Sequence, residues 1–153
     1  RCQRSESRLK QAHRDHVRTF LSSVRHSSVH CELHTPAYFL SLVSIPPEFS
    51  GPGGGYSPED FYALALINCF VATFKVIAEK SKMEFKELKC EGVLTVDRDE
   101  KGVPWMSAFL LKGALSGVGD RERAIRILDK TSQSCMILNS VKTKKTFEWN
   151  VEE

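Results

Sequence analysis

Paired cysteines and a strong charge of one sign are both missing from this sequence of 153 residues. The five cysteines are widely spaced and form no CxxC pair, which argues against a disulfide framework and against a zinc finger. The net charge is only +3, and the first sixteen residues alone carry five basic and two acidic side chains. Because nucleic-acid-binding domains usually carry their basic excess on the folded body, we expect no nucleic-acid partner.

Long hydrophobic runs are also scarce. One run, over residues 61 to 78, is apolar on nearly every side of a helix, but Asn68, Thr73 and Lys75 interrupt it. We therefore expect no membrane span and no membrane partner. The sequence opens without the basic and apolar segments of a secretory signal, so a cytoplasmic location is the expectation.

The rest of the composition is that of one ordinary globular domain, with 41% hydrophobic and 27% charged residues. We expect residues 1–16 to form a flexible basic N-terminal arm and residues 17–153 to form a single domain.

Hydrophobic alternation and turn residues predict an α+β order of elements. Residues 24–34 alternate as a half-buried strand does, with Arg25 on the apolar side. After a loop rich in glycine and proline, Ser57 is a candidate N-cap, and the apolar run predicts a helix over residues 58–78 that is buried on every side. The other predicted elements are strands at 38–45, 88–97, 103–115 and 146–151, and a second helix capped by Asp120.

Two stretches of the sequence carry a specific combination of residues. They are GGGYSPEDFYALALINCF at residues 53–70 and SQSCMILNS at residues 132–140. A glycine-rich loop, then Ser-Pro-Glu, then a cysteine inside an apolar helix resembles the osmotically inducible protein C and organic hydroperoxide resistance (OsmC/Ohr) superfamily. The resemblance implies an α+β fold, with antiparallel sheets packed around a buried central helix in an interwoven homodimer.

The same resemblance implies a thiol-dependent peroxidase acting on organic hydroperoxides without a cofactor. Cys69 would attack the peroxide, and Cys135 would resolve the resulting sulfenic acid as an intramolecular disulfide. A dithiol reductant, for which a lipoyl protein is one source in the family, would then restore both thiols. The family also has an arginine, oriented by a glutamate at the position of Glu59, that holds the thiolate. Arg25 is the first candidate for that arginine, and Arg18 is the alternative.

The spacing of Glu59 and Cys69 limits how they can share an arginine. Ten residues of α-helix rise about 15 Å, so one guanidinium cannot contact both side chains on a straight helix. Either the helix breaks between them, or Glu59 serves the site of another subunit. A helix that is apolar all round in so small a domain also favours a homodimer.

Two other interpretations stay open. Candidate metal ligands are His13, His16, His26, His30, Cys31 and His34. On one side of a strand, positions four residues apart are separated by about 13 Å, so we expect no metal site unless the segment is helical. The stronger rival is a non-catalytic dimer of the same fold that binds an apolar small molecule or a protein partner, with Cys69 used only for packing.

Overall fold

The computed structural model describes residues 16–25, for which only the backbone is considered, and residues 44–153 apart from the Glu48 side chain. It confirms the α+β class. The strands are β1 (His16–Arg25), β2 (Glu87–Arg98), β3 (Pro104–Ser116) and β4 (Lys144–Glu152). The helices are α1 (Pro58–Lys80), α2 (Arg121–Ser134) and α3 (Met136–Ser140), and a single 3-10 turn covers Pro47–Phe49.

The strands form one four-stranded sheet in the order β1-β2-β3-β4. Neighbours β1 and β2, and β2 and β3, are antiparallel, as expected. Strand β4 pairs with β3 in parallel, so the sheet is mixed rather than purely antiparallel. The physical reason is that α2 and α3 lie between these two strands and carry the chain back across the sheet before β4 begins.

Helix α1 begins where the sequence predicts because its first turn is closed by a reciprocal pair of hydrogen bonds. The Ser57 hydroxyl accepts from the Asp60 backbone N–H at 3.2 Å, and the Asp60 carboxylate accepts from the Ser57 N–H at 2.7 Å. Both residues are buried. This capping box satisfies orphan donors that would otherwise be costly at a buried helix end.

The core lies between α1 and one face of the sheet. Its largest fully buried side chains include Phe70, Phe74, Leu88, Phe109 and Leu111. Gly92 in β2 allows the close approach of the two layers, because a Cβ there would lie 2.6 Å from Ile67 Cδ1 and 2.8 Å from Phe109 Cζ. A side chain at this position would push the helix off the sheet.

The expectation that α1 is buried on every side is wrong for the single chain. Ala65, Asn68, Ala72 and Val76 are exposed along one stripe of the helix, and Val76 is 48% exposed. The other sides of the helix pack against the sheet, α2 and α3. By length and composition alone, α1 is long and apolar enough to span a membrane. Core helices share this property, and eight residues of α1 are buried in the structure.

Several predictions fall outside the described residues. They concern the arm at residues 1–16, of which only His16 is described, the strand at 24–34 beyond Arg25, and the strand at 38–45 up to residue 43. Strand β1 ends at Arg25.

Candidate active site

Cys69 lies near the middle of α1 and is partly exposed. Its neighbours on the helix surface include Ala65 and Ala72 of the exposed stripe, because residues three and four positions apart share one side of a helix. One turn later, the Thr73 hydroxyl donates a hydrogen bond to the Cys69 carbonyl oxygen at 2.8 Å. The thiol therefore sits on a rigid element, at the border between the core and the open side of α1.

Cys135 occupies the junction between α2 and α3 and is fully buried. Its backbone N–H donates to the Thr131 carbonyl at 2.9 Å at the end of α2, and its carbonyl accepts from the Asn139 N–H at 3.1 Å at the start of α3. The Lys145 ammonium donates to the carbonyl oxygens of Leu138 and Val141 at 2.9 and 3.1 Å and ties the end of α3 to β4. These bonds hold the cysteine in one position.

The fold brings the Cys69 and Cys135 thiols close together, although the two residues belong to different helices and are far apart in sequence. The side chains are near enough for Cys69 to raise the pKa of the Cys135 thiol. Cys69, Cys90 and Cys135, the cysteines within residues 44–153, are all free thiols. Since two neighbouring thiols can form a disulfide, this arrangement can support reversible dithiol chemistry.

The surroundings of Cys135 act on its acidity in opposite directions. Burial raises the pKa of the Cys135 thiol to about 11. A hydrogen bond from the Leu138 backbone and one from the Thr73 side chain lower this pKa, whereas the hydrogen bond and the charge of Cys69 raise it. The sequence marks Thr73 only as a polar interruption of the apolar run, because no spacing within α1 indicates a neighbour in another helix.

Glu59 lies in the first turn of α1, far from Cys69. The helix is unbroken from Pro58 to Lys80, so the proposed break between these two residues is wrong. The Glu59 Oε2 atom is buried, and within the described part of the chain it has no hydrogen-bond partner. A buried carboxylate oxygen normally accepts a hydrogen bond, because the free-energy cost of removing it from water is otherwise uncompensated.

The two candidate arginines both lie on β1, and their side chains are outside what the structure describes. The register pairs Arg18 with Leu94, a buried core residue of β2, and pairs Arg25 with Glu87. Of the candidate metal ligands, His13, His26, His30, Cys31 and His34 also lie outside the described residues. The part of the chain that is described contains no cluster of His, Cys, Asp and Glu suited to a metal ion.

Comparison with known proteins identifies the family. The model of the OsmC-like protein family matches residues 51–150, which include both helices that carry the thiol pair. The chain belongs to the OsmC-like protein family. It is also 28% identical over 107 residues to the uncharacterised protein YmaD of Bacillus subtilis (strain 168), covering 67% of this chain and 71% of that protein.

Solved structures of the OsmC-like family share the fold. The organic hydroperoxide resistance protein OsmC of Legionella pneumophila superposes with a TM-score of 0.62 at 17% identity, covering 72% of this chain and 79% of that one. An OsmC-like protein of unknown function from Vibrio cholerae superposes with a TM-score of 0.63 at 16% identity, covering 89% and 99% of the two chains. At these identities the likeness concerns the fold alone.

Proposed function

We propose that this OsmC-like protein is a thiol-dependent peroxidase that reduces organic hydroperoxides. The observation that carries the proposal is the proximity of a partly exposed thiol, Cys69, to a fully buried one, Cys135. A buried cysteine used only for packing needs no second thiol beside it. Membership of a family whose solved structures include organic hydroperoxide resistance proteins supports the same proposal.

The chemistry begins at the more accessible sulfur. The Cys69 thiolate attacks the terminal oxygen of the hydroperoxide, a sulfur–oxygen bond forms, and the oxygen–oxygen bond breaks. The alkoxide that leaves takes up a proton and departs as the alcohol, while Cys69 becomes a sulfenic acid. The peroxide gains two electrons, and the sulfur loses them.

Cys135 then resolves the oxidised sulfur. Its thiolate attacks Cys69, the disulfide forms, and the hydroxyl group of the sulfenic acid leaves as water after taking up the proton that Cys135 released. An external dithiol, for which a lipoyl protein is one source, reduces the disulfide and returns both thiols. A cytoplasmic location would keep them reduced between turnovers.

The complete site needs a cation and, in this proposal, a second subunit. Cys69 borders the exposed stripe of α1, so a partner packed on that stripe would cover the thiol and exclude water. Because Glu59 cannot reach its own Cys69 along an unbroken helix, the Glu59 carboxylate would orient the arginine of the other site in a homodimer. Arg18 becomes the first candidate for that arginine, since its backbone pairs with the core residue Leu94, and Arg25 the second.

Steady-state turnover tests the proposal. The purified protein with dithiothreitol or dihydrolipoamide should consume cumene hydroperoxide faster than hydrogen peroxide, because the surroundings of Cys69 are apolar. Cys69→Ser should reduce this turnover by about a thousandfold or more, since no other group supplies the nucleophile. Cys90→Ala is the matched control and should keep full activity. Turnover that survives in Cys69→Ser would refute the role of Cys69, and a parent protein without turnover would favour the non-catalytic dimer.

A further inference from the structure

The Lys145 side chain holds the short helix that follows Cys135. Its ammonium group donates to the carbonyl oxygens of Leu138 and Val141 at 2.9 and 3.1 Å, so one side chain of β4 bonds both the end of α3 and the residue after it. Lys145 is only partly exposed. A cation at a helix C-terminus bonds carbonyls that have no partner within the helix, and the helix dipole favours its charge.

Helix α3 needs this support because it is short. It contains five residues, Met136–Ser140, and a helix of this length is unstable alone, since nucleation is unfavourable and few hydrogen bonds follow it. The Asn139 N–H donates to the Cys135 carbonyl oxygen at 3.1 Å, and Leu138 is buried in the core. The Lys145 bonds at the far end of α3 therefore support the backbone bond that holds Cys135.

The chain beside Lys145 is itself fixed to α1. The Tyr62 hydroxyl of α1 lies 2.6 Å from the hydroxyl of Thr143, which is buried and donates to the Met106 carbonyl oxygen of β3 at 2.9 Å. Because Thr143 uses its proton for Met106, Tyr62 is the donor in the bond that these two hydroxyls share. The start of β4 is thus bonded to α1 on one side and, through Lys145, to α3 on the other.

We propose that Lys145 is a positioning residue for the resolving step, because its two bonds to α3 keep Cys135 in place beside Cys69. This inference rests on the proposed peroxidase function. In the resolving step the Cys135 thiolate attacks the Cys69 sulfenic acid, the sulfur–sulfur bond forms, and the sulfur–oxygen bond breaks. Hydroxide leaves as water with the proton that Cys135 gave up. Lys145 exchanges no proton and acts only through the backbone that carries Cys135.

Position matters for Cys135 because its side chain is fully buried. A buried thiol attacks a neighbouring sulfur from the place that the fold gives it, and the rate depends on the fraction of time that the two groups spend in that geometry. On the α2 side, the Cys135 N–H donates to the Thr131 carbonyl oxygen at 2.9 Å. Without Lys145 the α3 side is held less firmly, so this fraction falls.

A slower resolving step has a chemical consequence at Cys69. Its sulfenic acid persists, and a second hydroperoxide molecule can transfer one oxygen atom to the sulfur and leave as the alcohol, which produces sulfinic acid. The partition of Cys69 between disulfide and sulfinic acid therefore reports how well Cys135 is positioned. A variant that loses only global stability keeps this partition, because its folded molecules react as before.

Stopped-flow oxidation and intact mass measure the two steps separately. Lys145→Met removes both donor bonds with a side chain of similar length. We expect an unchanged rate of Cys69 oxidation by cumene hydroperoxide, disulfide formation about tenfold slower, and more sulfinic acid at Cys69 in excess peroxide. Lys145→Arg keeps the charge and the donors and should form the disulfide faster than Lys145→Met. The matched control is Lys144→Met, which should behave like the parent, because Lys144 is an exposed lysine on the other face of β4.

Hydrogen exchange of the reduced protein tests the same inference without peroxide. In Lys145→Met the Asn139 amide should exchange about tenfold faster, whereas amides in the middle of β2 and β3 should exchange as in the parent. If Lys145→Met does not fold, Lys145→Gln, which keeps an amide donor, should change both measurements in the same direction by a smaller factor.

Three results would overturn the role of Lys145. They are equal rates of disulfide formation in the parent and Lys145→Met, an equal slowing in Lys144→Met, and a Lys145→Arg protein as slow as Lys145→Met. An unaltered chain that leaves Cys69 reduced would instead overturn the peroxidase function, while exchange of the Asn139 amide still decides whether Lys145 holds α3.

Discussion

Two buried cysteines of this protein, Cys90 and Cys135, have different surroundings. Cys90 lies in the middle of β2, where burial alone raises its pKa to about 12. Cys135 lies at the junction of α2 and α3, where burial raises its pKa to about 11 and hydrogen bonds from Leu138 and Thr73 oppose the rise. Both thiols are hidden from solvent, so exposure does not distinguish them. A second sulfur and two hydrogen-bond donors do.

Under the proposed function, this difference separates an inert thiol from a reactive one within the same fold. An apolar environment protects a thiol by keeping it protonated, and chemistry requires specific polar contacts that favour the thiolate. On the sheet side of the core, no contact of the described residues lowers the pKa of Cys90. On the helical side, hydrogen bonds lower the pKa of Cys135, which lies beside the partly exposed Cys69.

After removal of Cys69 itself, loss of its cation should have the largest effect, and it would sharpen the comparison at Cys69. If the reactive sulfur depends on a cation that Cys90 lacks, Arg18→Met should lower turnover of cumene hydroperoxide by about a hundredfold, through loss of charge stabilisation of the thiolate and of the departing alkoxide. Arg25→Met should have a smaller effect. The two turnover numbers measured side by side decide the assignment, and a larger loss in Arg25→Met would reverse it.

A smaller effect is expected from removing the resolving sulfur. Cys135→Ser should slow turnover about tenfold, because an external thiol must then reduce the Cys69 sulfenic acid without the advantage of a neighbouring group. The oxidised variant should gain one oxygen atom in mass and react with dimedone. Cys90→Ala, the control from the sheet side, should still form a disulfide, and loss of the disulfide in that control would remove the distinction between the two buried thiols.

A further effect concerns stability rather than turnover, and it tests the inert thiol. The pKa of Cys90 is raised on folding, so the folded chain keeps a proton that the unfolded chain loses. The stabilisation is complete below the ordinary thiol pKa near 9 and declines as the pH rises toward about 12. Between pH 8 and 10.5 the free energy of unfolding should fall by about 2 kcal/mol more in the parent than in Cys90→Ala. Urea titrations at both values of pH measure this difference, and equal losses would show that Cys90 is not held in an apolar site.

Much of the fold was predictable because its signals are local. The Ser57 cap, the apolar run of α1, the Asp120 cap and the alternation in β2 and β3 each act within a few residues, and the structure confirms these elements. The parallel pairing of β4 was not predictable from alternation, because strand direction depends on the whole crossover through α2 and α3. The same holds for the open stripe of α1, since apolar composition does not indicate what covers each side.

The candidate site was likewise predictable only in part from the sequence. The motif named Cys69 and Cys135, but only the packing of α1 against α2 and α3 reveals that the two residues are neighbours. The roles of Glu59 and Arg25 stay predictions.

The central claim is that Cys69 and Cys135 form a catalytic dithiol. Mass spectrometry of the intact protein after one equivalent of cumene hydroperoxide, followed by peptide mapping, tests it most directly. The account predicts the loss of two hydrogen atoms and a single disulfide joining the peptides that contain Cys69 and Cys135. A Cys69 that stays reduced, a stable sulfenic acid on it, or a bond from Cys69 to any other cysteine would contradict the account.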